Sequence, residues 1–162
     1  MQKPIVSVRR LKRVFQGSYL CGAVSYKASQ LIGPYVQCHC PSCRKASGSA
    51  FAVNISVPLE KFTIVTGESK ISVFESSPNK LRHFCSICGS PLYTKVGANP
   101  DVLRLRLGSL DSPFKDAPAA HIFAGQKAPW HRIYDDLPQY EDWPDATEMK
   151  IPGSRQSTLP ND

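Results

Sequence analysis

Phe51-Ala52-Val53-Asn54-Ile55-Ser56-Val57 sets Phe51, Val53, Ile55 and Val57 at every second position. Successive side chains of a strand point to opposite faces, so a period of two reads as a strand with one buried face. Working outward, Phe62, Ile64 and Thr66 repeat the pattern, as do Ile71 with Val73, and Val24 with Tyr26 inside Ala23–Ala28. Further on, Val102, Leu103, Leu105 and Leu107 stand against Arg104 and Arg106, a strand whose arginine face is expected to be wet. Gly67-Glu68-Ser69 and Ser77-Pro78-Asn79 separate these runs as turns. One short helical turn is expected from Pro41 to Ser47, stopped by Gly48. The fold class is therefore mainly β, built of antiparallel sheets with very little helix.

The chain has 162 residues, 41% of them hydrophobic and 20% charged, which suits one globular domain with a real core. The expected division is a basic flexible arm over 1–14, a β domain over 15–143 and a polar tail over 144–162. No apolar run approaches the roughly 18–20 residues of a membrane span. The formal charge of +7 is uneven, because residues 1–13 hold five basic and no acidic side chains. The remaining body carries only +2, so a nucleic-acid partner is not expected, whereas a small anionic ligand suits it. Met1–Arg13 has no apolar core of a secretory signal, which leads to a cytoplasmic expectation, where thiols stay reduced.

Six cysteines then argue for metal rather than disulfides. Cys85-Ser86-Ile87-Cys88-Gly89 is a C-x-x-C knuckle, whose spacing lets both thiolates reach one ion at about 2.3 Å. Gly89 permits the left-handed turn that aims backbone N–H groups at the sulfurs. Cys21, followed by Gly22, is the natural distant partner, but Tyr19 stands where a C-x-C would place a fourth thiolate. His83, a thiolate of the other group, or water are the alternatives for that position. Cys38-His39-Cys40-Pro41-Ser42-Cys43 offers three thiolates from one loop, which leaves the fourth position of a zinc open for chemistry. In the other reading, one of these thiolates only completes a closed site with Cys21, Cys85 and Cys88. His39 should face away from the metal side of an extended strand.

Three segments carry a resemblance. Gly17-Ser18-Tyr19-Leu20-Cys21-Gly22-Ala23-Val24, Cys38-His39-Cys40-Pro41-Ser42-Cys43-Arg44-Lys45-Ala46-Ser47-Gly48 and Phe84-Cys85-Ser86-Ile87-Cys88-Gly89 resemble the glutathione-dependent formaldehyde-activating enzyme family. Gly108-Ser109-Leu110-Asp111 and the stretch from His121 through Trp130 to Pro138 look like its C-terminal part. The resemblance implies a β-tent arrangement of antiparallel sheets and one or two zinc ions per chain. It implies a structural ion on Cys21, Cys85 and Cys88, and a second, associated with activity, on Cys38, Cys40 and Cys43. It also implies a zinc-dependent carbon–sulfur lyase that joins a thiol such as glutathione to formaldehyde or a related small aldehyde. The alternatives are another small substrate on this scaffold, or a non-enzymatic zinc-stabilised binding module.

Glutathione is anionic, so Arg44 and Lys45, directly after the ligand loop, are candidates to bind its carboxylates; a solvated face is the plainer reading of both. Lys127 and Trp130 could wall a pocket, with a core role as the alternative for Trp130. His121 is a candidate proton carrier or a structural histidine.

Overall fold

The computed structural model describes residues 13–144, so the basic arm and polar tail expected from the sequence lie almost wholly outside the described residues. Among the described residues, ten strands and one α-helix follow along the chain: β1 (Phe15–Ser18), β2 (Ser25–Ala28), β3 (Ile32–Cys38), α1 (Pro41–Ser47), β4 (Ala52–Pro58), β5 (Phe62–Thr66), β6 (Ile71–Ser77), β7 (Lys80–Cys85), β8 (Pro91–Val96), β9 (Asn99–Arg106) and β10 (Ala120–Ile122). They form a three-stranded sheet in the order β1-β2-β5 and a seven-stranded sheet in the order β10-β3-β4-β9-β8-β7-β6. The protein is mainly β, with α1 where Pro41–Ser47 was expected and Gly48 in the left-handed region at its end.

The centre of the large sheet is the β4–β9 ladder, with Ile55 opposite Leu105 and Val57 opposite Leu103. These four are 0–2% exposed and share one core with Leu92 and with Phe15, Val24, Tyr26 and Ala28 of the small sheet. Each such side chain contributes about 1.5–3 kcal/mol by leaving water. Phe62 closes the seam between the sheets, its ring 5.2 Å from Tyr26 and 5.3 Å from Tyr93.

Four features depart from the sequence reading. The arginine face of β9 is not wet, since Arg106 is only 7% exposed and Arg104 is half-buried. The strand β3 was masked by Gly33-Pro34, and its register with β4 shifts between Ile32 and Val36 to accommodate them. The short β10 pairs parallel to β3, with Ala120 opposite Val36 and Ile122 opposite Cys38. Val73 is 51% exposed despite its alternation with Ile71, because β6 is the sheet edge.

Gly67 links the sheets. It has φ +75°, and a Cβ there would meet the Ala23 carbonyl oxygen at 1.9 Å. Gly48 has φ +60° but open space around its Cβ position. Gly67→Ala should therefore lower the unfolding free energy by about 3 kcal/mol or more, strain and overlap adding, whereas Gly48→Ala should cost about 1 kcal/mol. Urea unfolding of the two variants checks this; equal losses would contradict it.

Candidate metal centres

The first cysteine set joins two turns that lie far apart in sequence. Cys21 sits in the β1–β2 turn, which closes through the Gly22 N–H donating to the Tyr19 carbonyl at 2.9 Å. Cys85 ends β7, and Cys88 lies in the turn leading to β8. Gly89 takes φ +75° and donates its N–H to the Cys85 carbonyl at 2.9 Å, while the Ile87 N–H points at Cys85 Sγ from 3.4 Å. The sequence expectation for this knuckle is thus met in its backbone. The three sulfurs lie within 4.8 Å of one another, and Cys21 and Cys85 are 3.7 Å apart. Two thiolates on one tetrahedral zinc at about 2.3 Å each stand about 3.8 Å apart, so the donor set fits that ion. Cys88 Sγ is 3.4 Å from Ser90 Oγ, and hydrogen bonds from the Ser90 hydroxyl and N–H hold the Cys88 thiol down at about 6.

Tyr19 does not bring a fourth thiolate. It is 3% exposed within the core, and its hydroxyl has no hydrogen-bond partner among the described residues. Burial, then Tyr93, Cys85 and Cys88, push its phenol well above the ordinary range. His83 is not among the clustered donors either; it stacks on Tyr93 with ring centroids 4.2 Å apart.

The second set is Cys38 at the end of β3, Cys40 as the N-cap of α1 and Cys43 in its first turn. Cys40 Sγ accepts the Cys43 N–H at 3.4 Å, and Pro41 in the first turn needs no such acceptor. Their sulfurs also lie within 4.8 Å of one another, in an apolar setting of Val36, Ala52, Ala120 and Ile122. Hydrogen bonding from Cys38, then Cys43, lowers the Cys40 thiol, with Lys80 adding to the effect, while the same contact with Cys40 raises Cys38. Within the set, Cys40 is therefore the thiol whose ionisation is most favoured. The two triads are separate groups, so neither lends a thiolate to the other. Both donor sets can hold a metal ion, and three thiolates are the donors that zinc selects.

A cavity of about 460 Å³ opens on the second triad, lined by all three cysteines. Lys80, Arg82, Arg104 and Arg106 line it, with Asn54, Ser56 and Thr94. None of these was named from the sequence as a site residue; Arg104 and Arg106 were read only as the wet face of a strand. Arg44 and Lys45, which were, lie outside the lining: Arg44 Nε donates to the His39 carbonyl at 3.1 Å, and Lys45 is exposed. Lys127 is exposed and Trp130 is 72% exposed, so neither walls the cavity nor enters the core.

His39 turns its ring away from the sulfurs, as expected. His121 Nε2 donates to Asp135 Oδ1 at 2.9 Å, which leaves His121 Nδ1 to accept from His39 Nε2 at 2.8 Å. Burial, then His121 and His131, hold His39 down at about 4. The His121 hydrogen bond lowers Asp135. Both rings are buried and neither lines the cavity, so this chain fixes the loop between Cys38 and Cys40 from behind.

The family model described as glutathione-dependent formaldehyde-activating enzyme matches residues 14–126. A Halomonas elongata protein provisionally named as such an enzyme is 30% identical over 128 residues, covering 74% of this chain and 81% of that protein. A Colletotrichum graminicola protein of the same provisional name is 25% identical over 118 residues, and this chain spans 56% of its length. A Rhodobacter sphaeroides protein of known crystal structure shares the fold, with a TM-score of 0.53 at 20% identity over 61% of this chain and 90% of that one.

The first triad closes a loop of 64 residues, so metal there would oppose chain entropy over about half of the domain. Cys88→Ser should lower the thermal midpoint by nearly as much as full chelation does, equivalent to about 3–5 kcal/mol by analogy with a cross-link over such a loop. Cys40→Ser should cost much less; calorimetry that ranks the two the other way would contradict this division. Tyr19→Phe removes an unpartnered buried hydroxyl, so it should keep zinc content unchanged and stability within about 1 kcal/mol. Loss of one zinc per chain in elemental analysis would instead make the phenol a ligand.

Proposed function

The chain belongs to the glutathione-dependent formaldehyde-activating enzyme family, and from that premise we propose that it is a zinc-dependent carbon–sulfur lyase joining a small thiol, such as glutathione, to formaldehyde or a related small aldehyde. The observation that carries this reading is the second triad, three thiols gathered at the wall of a cavity large enough for a small molecule. A zinc ion held by Cys38, Cys40 and Cys43 would supply a lowered pKa for the incoming thiol. The first triad serves stability in this reading, and a reducing cytoplasm suits both sets of thiols.

The reaction forms one carbon–sulfur bond, moves the carbonyl π pair onto oxygen and leaves the thiol proton on that oxygen. The cavity residues suit those changes of charge. Lys80 acts electrostatically on Cys40 and Arg106 on Cys43, so both favour negative charge at sulfur, the substrate's included. Asn54, Ser56 and Thr94 offer hydrogen bonds to the aldehyde oxygen as it becomes charged. Ile32, Pro34, Val36, Ile122 and Phe123 exclude water from the same space, which strengthens each of these interactions.

Exchange spectroscopy by NMR between glutathione and its hydroxymethyl adduct tests the reading. Zinc-loaded protein should speed the exchange above the uncatalysed background, and Cys40→Ser should return it to background while the domain stays folded. No acceleration by the zinc-loaded protein would overturn the proposal.

A further inference from the structure

The first triad brings three donors to an ion that takes four in a closed structural site. The fourth cannot be another thiolate or imidazole of this chain. All six cysteines and all four histidines lie among the described residues, and each of the others is engaged elsewhere. Cys38, Cys40 and Cys43 form their own group. His39 and His121 are hydrogen-bonded to each other, His131 stacks on His39, and His83 stacks on Tyr93. No aspartate or glutamate among the described residues joins Cys21, Cys85 and Cys88 either. Tyr19, two residues before Cys21, is buried in the core, and its hydroxyl makes no hydrogen bond to any sulfur.

This centre also faces solvent. Cys21 is exposed and Cys88 partly so, with only Cys85 buried. Leu20 precedes Cys21 and is 87% exposed; Ile87 precedes Cys88 and is 60% exposed. Two large apolar side chains thus stand in water beside the ligands, one from each turn. Residues 19–23 and 85–91 contain no charged side chain that could offset the thiolates. The adjoining turn, tied to them by the Ser86 N–H donating to the Lys70 carbonyl at 2.8 Å, holds Glu68 and Lys70, whose charges cancel. Three thiolates on a divalent ion carry about −1, and a fourth brings the total to about −2. A donor that carries a positive charge of its own therefore suits the centre better than an acidic one.

We propose that the metal-loaded first centre takes its fourth ligand from outside the chain, a small thiol bearing a positive charge, its stem against Leu20 and Ile87. Sulfur is the donor that matches the three thiolates already present. On binding, the thiol gives its proton to solvent and a sulfur lone pair forms the fourth sulfur–metal bond; nothing is oxidised or reduced. The site does not rest on the lyase reading, which concerns the other triad. Its consequence is an ion between the two sheets whose closure depends on the supply of a small molecule.

Cobalt substitution tests this, because sulfur-to-cobalt charge-transfer absorption grows with the number of bound thiolates. The full chain carrying Cys40→Ser is loaded with one equivalent of cobalt, which fills the first centre, and is titrated with thiocholine. The absorption should rise saturably by about one third as three thiolates become four. Choline, the same cation with oxygen for sulfur, should change nothing. At low salt 3-mercaptopropionate should bind at least about threefold more weakly than thiocholine, the gap narrowing as salt rises. Leu20→Ser with Ile87→Ser, both at exposed positions, should weaken thiocholine binding by about threefold or more. A four-thiolate spectrum before any thiol is added would overturn the proposal, as would one that appears only as protein concentration rises, since a second copy would then give the donor. So would an unchanged spectrum with thiocholine, equal affinity for the two thiols, or release of the cobalt by thiocholine.

Discussion

Everything in this domain depends on the pleat of the β4–β9 ladder. Its odd and even positions are sent to opposite faces, and the two faces do opposite work. Ile55, Val57, Leu103 and Leu105 bury against the small sheet, while Asn54, Ser56, Arg104 and Arg106 turn toward the cysteines. A slip of one residue would drive two arginines into the core and turn two leucines into a polar cavity. Core and candidate active site are therefore specified by the same register, and neither could change without the other.

The six cysteines share no such symmetry. Cys21, Cys85 and Cys88 bring together two turns from different sheets, so a metal there acts on the topology of the whole domain. Cys38, Cys40 and Cys43 come from one strand end and one helical turn, and hydrogen bonds hold their loop. The N-cap bond from Cys43 to Cys40, the His39 N–H to the Ile122 carbonyl at 3.0 Å and the His39–His121–Asp135 chain all converge on it. One set joins turns of the two sheets; the other lies on the wall of a cavity.

Much of this was legible in the sequence. The helix from Pro41 to Ser47 follows from a cap, a proline and a terminal glycine, and the two thiol sets follow from spacing and glycine placement. The cavity was not legible, for a specific reason. Leu103-Arg104-Leu105-Arg106 is an alternation that solvent explains as well as a cavity does, and period alone does not say what covers the polar face. Arg44 and Lys45 were candidates because they adjoin the cysteine loop in sequence, yet the helix carries them out of the lining, and the cations that do line it come from β7 and β9. The pairing of β3 with β10 escaped notice because three residues hold too little pattern to read, and Gly33-Pro34 breaks the pattern of its partner strand.

The electrostatics of the cavity give a reason for the two charge systems to occur together. Three thiolates around a divalent ion carry about −1 together. Lys80, Arg82 and Arg106 line the same cavity and exceed that charge. A ligand with acid groups of its own would offset that surplus. Because it would do so in the folded protein and not in the unfolded chain, its binding is coupled to stability, worth about 2.7 kcal/mol at a hundredfold excess over its dissociation constant. The same coupling favours ligands whose charge is fixed far from the reacting atom, since the arginines then hold the substrate without competing for the electron pair that the sulfur must donate.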